Sequence, residues 1–169
     1  MSFQAGFITV VGRPNVGKST LINELIGQKL SITSHKPQTT RHRIHAIDTQ
    51  SNYQMIFVDT PGIHIGNKKA INSYMNKTAS SSFSEVDMIL WLVEALKWTK
   101  EDQRVLEHLI KIEVPIILCV NKIDNLNTKD KILPYLEKLG EKFKANEVFP
   151  LSAFKKNHTN DLRRLILKY

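Results

Sequence analysis

The 169-residue chain contains a single cysteine, so no intrachain disulfide framework can hold it together. That residue, Cys119, lies inside the apolar run Val114-Pro-Ile-Ile-Leu-Cys-Val120 and reads as a small core residue rather than a reactive thiol. No apolar stretch approaches the roughly 20 residues that a membrane span needs. The start has no basic segment leading into an apolar one, because the run Phe7 to Val11 ends at once in Gly12-Arg13-Pro14. Repeats, low-complexity tracts and linkers are missing as well, and the length suits one domain over residues 1–169. With 41% hydrophobic residues, a core can form without staples. Acidic side chains are the scarcer sign: 16 Asp and Glu stand against 24 Lys and Arg, a formal net charge of +8 that favours a polyanionic partner. The expectation is a cytoplasmic monomer with, at most, peripheral contact with the inner face of the cell membrane.

Short β-rich apolar runs alternate with segments of helical period, the signature of an α/β fold with a mostly parallel sheet. The predicted strands are Phe7 to Val11, His42 to Asp48, Gln54 to Asp59, Met88 to Glu94, Pro115 to Asn121 and Val148 to Leu151. The predicted helices are Lys18 to Ile26, Lys69 to Ser80, Lys100 to Ile112, Lys129 to Phe143 and Asp161 to Tyr169, with Thr99 and Thr128 as N-caps. Only Gln50-Ser51-Asn52 separates the second and third strands, so they should form a hairpin and one of the six strands should run antiparallel.

The chemistry is concentrated in loops at the carboxyl ends of strands, where open α/β sheets bind ligands. Gly12-Arg13-Pro14-Asn15-Val16-Gly17-Lys18-Ser19 fits G-x-x-x-x-G-K-S/T between a strand and a helix, the context a phosphate-binding P-loop requires. Its glycines let backbone N–H groups converge on phosphate oxygens, Lys18 bridges the β- and γ-phosphates, Ser19 ligates Mg2+, and Thr20 continues the helix beside them. Asp59-Thr60-Pro61-Gly62 follows the third strand. There an acid can hold Mg2+ through water, while Gly62 brings an unencumbered N–H to the γ-phosphate. Asn121-Lys122-Ile123-Asp124 follows the fifth strand. Guanine presents N1–H and N2–H2 as adjacent donors that one carboxylate accepts together, and adenine has no such pair, so Asp124 selects GTP over ATP. Asn121 should tie loops together, the stem of Lys122 should cover the base plane, and a backbone N–H of Ser152-Ala153 should reach the guanine O6.

Taken together these motifs resemble the nucleotide loops of translation-factor-related GTPases, and the stretch Ser31 to Arg43, with Asp59 to His64 and Ala70 to Lys77, closely resembles the bacterial Era GTPases. The resemblance spans nearly the whole chain. The nearest rival is the Der family, which normally has Gly-Val-Thr where Gln38-Thr39-Thr40 stands. The Era resemblance implies a P-loop GTPase fold: a six-stranded, mostly parallel sheet with one antiparallel strand and helices on both faces. It also implies a GTP/GDP-dependent switch that hydrolyses GTP slowly and acts in assembly of the small ribosomal subunit on 16S ribosomal RNA. It makes Thr40 the switch residue that closes on Mg2+, with Thr39 the lesser choice, and gives the chain a G domain without the RNA-binding KH domain that Era proteins carry. Ile63 stands where many GTPases have the glutamine that orients the attacking water, and its side chain can neither donate nor accept. Asn15 resembles the asparagine that holds a K+ ion in relatives with that replacement, so Asn15, Lys18, Thr40 and Gly62 form the expected catalytic group. His64 is the weaker candidate for a base. The basic residues clustered around Lys36 to His45 and from Lys138 to Lys168 read as solvated faces, with direct RNA binding by the domain as the second functional reading.

Overall fold

The computed structural model describes residues 3–27, 43–59, 86–127 and 129–169. Six strands form one sheet: β1 (Gln4–Val11), β2 (Arg43–Thr49), β3 (Tyr53–Asp59), β4 (Met88–Glu94), β5 (Ile116–Asn121) and β6 (Glu147–Pro150). The spatial order is β2-β3-β1-β4-β5-β6. β2 runs antiparallel to β3, closed by a turn in which the Gln50 N–H donates to the Tyr53 carbonyl at 2.9 Å. Every other pairing is parallel. β1 therefore has β3 on one side and β4 on the other, and the strand order switches direction at its carboxyl end, where the predicted P-loop begins.

Four helices are described: α1 (Lys18–Ile26), α2 (Lys100–Leu109), α3 (Ile132–Lys142) and α4 (Thr159–Ile166). The pleat of β4 sorts the core into two halves, since successive side chains of a strand point to opposite faces. Leu90 and Leu92 pack with Leu21 and Leu25 of α1 and Leu162 and Leu165 of α4. Ile89, Trp91 and Val93 pack with Val105 and Leu109 of α2 and Leu139 of α3 on the other face. Trp91, fully buried, meets Trp98 and Phe143 edge-on at 5.7 and 5.3 Å between ring centres. Cys119 lies wholly inside the first half, and burial pushes its thiol pKa far up, so it is the inert core residue expected.

Several boundaries differ from the sequence reading. β1 starts earlier, at Gln4, because Gln4 to Thr9 continue the ladder against Tyr53 to Val58. Thr99 caps α2 as expected, with Asp102 returning a bond to the Thr99 N–H at 2.9 Å. The helix predicted from Lys129 to Phe143 instead opens with a 3-10 turn, Lys129–Lys131, so α3 starts at Ile132 behind Lys131; Thr128 lies outside the described residues. α4 starts at Thr159, behind His158 in the left-handed region. The helix predicted over Lys69 to Ser80 lies outside the described residues. Among the described residues, no helix is long and apolar enough to cross a membrane.

Candidate functional site

The loop between β1 and α1 demands its glycines. Gly12 has φ 146° and Gly17 has φ 103°, both in the region that disfavours side chains. A Cβ on Gly12 would collide with the Leu92 carbonyl, and one on Gly17 with the Asn121 amide nitrogen. Gly17 is also the N-cap of α1, so no side chain from that position occupies the first-turn N–H groups, and no acidic residue stands in that turn. Such a helix start attracts an anion. Lys18 folds back across the loop, its Nζ donating to the Gly12 and Arg13 carbonyls at 2.9 Å each.

Asn121, at the end of β5 and almost fully buried, joins three loops. Its Nδ2 donates to the Val16 carbonyl at 2.8 Å, and its Oδ1 accepts from the Ala153 N–H at 3.0 Å. Asp124 is exposed, and its Oδ1 accepts from the Ser152 hydroxyl, which in turn accepts from the Lys155 N–H at 3.0 Å. The Asp124 carboxylate is thus aimed by the loop after β6.

Between these loops lies a cleft of about 490 Å3, within the range of small-ligand sites. Asn15, Lys18, Ser19 and Thr20 line it from the first loop, Asn121, Lys122 and Asp124 from the third. The remaining expectations divide. Val16 is fully buried in the core and Ile123 packs against the opposite half, so both support the loops from behind. Ser152 and Ala153 already spend their N–H groups on Asn157 and Asn121, at 3.2 and 3.0 Å; the donor to O6 expected from this pair is committed inside the protein. The Arg13 side chain turns away from the cleft and pairs with Glu94 at 2.9 Å and Asp102 at 3.2 Å. Pro14 is exposed and is not among the residues that line the cleft. Asp59 ends β3, and the register Thr9 to Val58 puts it at the same sheet edge as Gly12. Thr40, Thr60, Pro61, Gly62 and Ile63 lie outside the described residues.

Two lining residues escaped the sequence reading, Asn125 and Phe154. Phe154 is 73% exposed, an aromatic ring facing solvent at the rim of the cleft. Its signal was available: it directly follows Ser152-Ala153 in a loop otherwise polar. The C-terminal basic residues are also less uniform than a solvated face. Arg163 reaches the Leu25 carbonyl at the end of α1 and lies 3.6 Å from Asp48, and Lys156 pairs with Glu24 at 3.0 Å.

The chain matches the 50S ribosome-binding GTPase family over residues 7–122. It is 50% identical to the GTPase Era of Actinobacillus pleuropneumoniae serotype 5b (strain L20) over 163 residues, 96% of this chain and 54% of that protein. It therefore spans about half the length of the curated relatives it matches. A crystal structure of Era in complex with MgGDPNP and nucleotides 1506–1542 of 16S ribosomal RNA superposes with TM-score 0.78 and 36% identity, covering 99% of this chain and 57% of that one. An Aquifex aeolicus Era variant bound to GDP and AlF4− gives TM-score 0.77 at 36% identity, covering 98% and 56%. The site and these similarities agree, and the chain belongs to the 50S ribosome-binding GTPase family as a homologue of the Era GTPases.

Proposed function

We propose that this chain is a G domain that binds GTP and GDP with Mg2+, hydrolyses GTP, and works as a switch in assembly of the small ribosomal subunit through contact with 16S ribosomal RNA. The observation that carries the reading is Asn121, whose two bonds hold the phosphate loop and the guanine loop against one cleft. The donor set suits Mg2+, a hard cation that takes oxygen ligands: the Ser19 hydroxyl lines the cleft, Asp59 stands at the same sheet edge, and Thr40 completes the set. Mg2+ supplies charge neutralisation on the phosphate oxygens. Lys18 and the N–H groups at the start of α1 hold the phosphates and stabilise the charge that shifts toward the leaving oxygen. Gly62 contributes an N–H at the γ-phosphate. Ile63 leaves the attacking water unoriented, so unassisted turnover is slow, and Asn15 holds a K+ ion that offsets part of the charge.

The ribosomal reading rests on the relatives, since an Era structure holds both a GTP analogue and 16S ribosomal RNA. Base choice is the direct test. The unaltered chain binds GDP and GTP far more tightly than ADP and ATP, and Asp124→Asn shifts preference toward xanthosine nucleotides, because the amide donates to the carbonyl that replaces the guanine amine. Equal affinity for ATP and GTP in a competition titration overturns the assignment.

A further inference from the structure

Glu94 ends β4, between the phosphate loop and the guanine loop, and neither loop motif includes it. One of its oxygens, Oε2, accepts from Arg13 Nη2 at 2.9 Å and from Lys122 Nζ at 3.2 Å. The other, Oε1, lies 3.7 Å from Lys97 Nζ. The carboxylate is 19% exposed, and Arg13 is held from its other side by Asp102, which is fully buried at the start of α2. Burial alone pushes the Glu94 pKa up, but the hydrogen bonds from Lys122 and Arg13, with the charges of Lys122 and Lys97, outweigh it and hold the group below the ordinary carboxylate value. Glu94 is thus ionised throughout the neutral range, a fixed anion shared by one cation from each loop.

We infer that Glu94 is a positioning residue for the nucleotide: one carboxylate fixes Arg13 of the phosphate loop and Lys122 of the guanine loop, so that the base-covering stem is set before the ligand arrives. Lys122 is in the left-handed region at φ 67° and its stem lines the cleft. Anchored at Nζ, a flexible four-carbon chain becomes a fixed wall, and the ligand no longer bears the cost of ordering it. The inference rests on the guanine-nucleotide reading.

The test is GDP affinity and dissociation rate, measured by displacement of a fluorescent GDP analogue well below the melting temperature of each variant. Glu94→Gln should weaken GDP binding about tenfold, mostly through faster dissociation, the factor that ordering one long side chain is worth. Lys122→Met loses the anchored ammonium by itself, so the double variant should bind no more weakly than Lys122→Met alone. A role confined to folding would instead make the two losses multiply, and that result, or a Glu94→Gln affinity within twofold of the unaltered chain, overturns the inference. Should Glu94→Gln fail to fold, Glu94→Asp gives the same two readings, since it keeps the charge but is one methylene too short to hold both cations. Absence of GDP binding by the unaltered chain would refute the nucleotide reading itself, which separates that failure from this one.

Discussion

Replacing Asn121 with alanine removes two hydrogen bonds at once. The Val16 carbonyl and the Ala153 N–H, now 2.8 and 3.0 Å from the amide, are left without it in a site where Asn121 is only 2% exposed. Each bond contributes about 1 kcal/mol net, and a buried polar group left without a partner costs about 1–3 kcal/mol, so after partial rescue by water the loss comes to about 3 kcal/mol. For a domain of this size 1 kcal/mol shifts the melting temperature by about 2–4 °C, which puts Asn121→Ala about 6–12 °C below the unaltered chain. Thermal unfolding of the nucleotide-free protein, followed by circular dichroism, gives this directly. Because the lost bonds are contacts within the protein, the drop must appear without ligand, and adding GDP must restore less stability than it gives the unaltered chain. A nucleotide-free melting temperature within about 2 °C of the original would refute the clamp. Asn121→Asp supplies a sign check: its second oxygen faces the Val16 carbonyl, so the variant should be more stable at pH 5, where the carboxyl can hold a proton, than at pH 8.

His158 and Lys156 both adopt positive φ, 62° and 58°. His158→Gly relieves a strain of about 1 kcal/mol but loses the exposed contact with Asp161 at 3.4 Å, and Lys156→Gly relieves a similar strain but loses the pair with Glu24, so each should raise the melting temperature by no more than about 2–4 °C. GTP hydrolysis should run faster in K+ than in Na+ at equal ionic strength, and Asn15→Ala should abolish the difference without abolishing GDP binding; equal rates in the two salts remove the monovalent ion from the mechanism. Burial, reinforced by the charge of Asp102, pushes the Tyr135 hydroxyl from 10.0 up to about 12. Between those values the unfolded chain gives up a proton that the folded chain keeps, so the stability present below pH 10 is lost as pH rises toward 12, and urea midpoints of Tyr135→Phe should fall less steeply across that window.

The parts of the molecule that sequence reasoning placed are those written in short-range pattern. The apolar run Met88 to Glu94 makes a strand, the short turn after Thr49 makes the hairpin, and Thr99 with Asp102 three residues on makes the cap. The parts it misplaced depend on partners far away in the chain or on strained backbone. Arg13 reads as a ligand-facing loop residue because nothing nearby shows that Glu94 and Asp102, 81 and 89 residues on, will turn its side chain inward. α4 starts before its expected place because His158 takes the left-handed position that a glycine would have announced. Phe154 belongs to no periodic pattern, and its one sequence signal is its place directly after Ser152-Ala153; the folded loop then puts its ring at the rim of the cleft.

That division has a physical consequence for how the site is built. Apolar burial fixes β1, β4 and β5 side by side and thereby brings their carboxyl ends to one edge of the sheet, but it does not set the loops that leave those ends to the accuracy a nucleotide requires. Asn121 and Glu94 are the last residues of β5 and β4, where the rigid sheet gives way to loop backbone. Each spends its polar atoms on groups belonging to other loops: Asn121 on Val16 and Ala153, Glu94 on Arg13 and Lys122. Side chains on strands are held more rigidly than side chains on loops, so a polar group at a strand end passes the order of the core to the loops it bonds. The accuracy of the cleft then depends on two short polar side chains anchored in the sheet, and the long flexible ones, Lys18 and Lys122, are positioned by the acceptors they reach rather than by packing of their own.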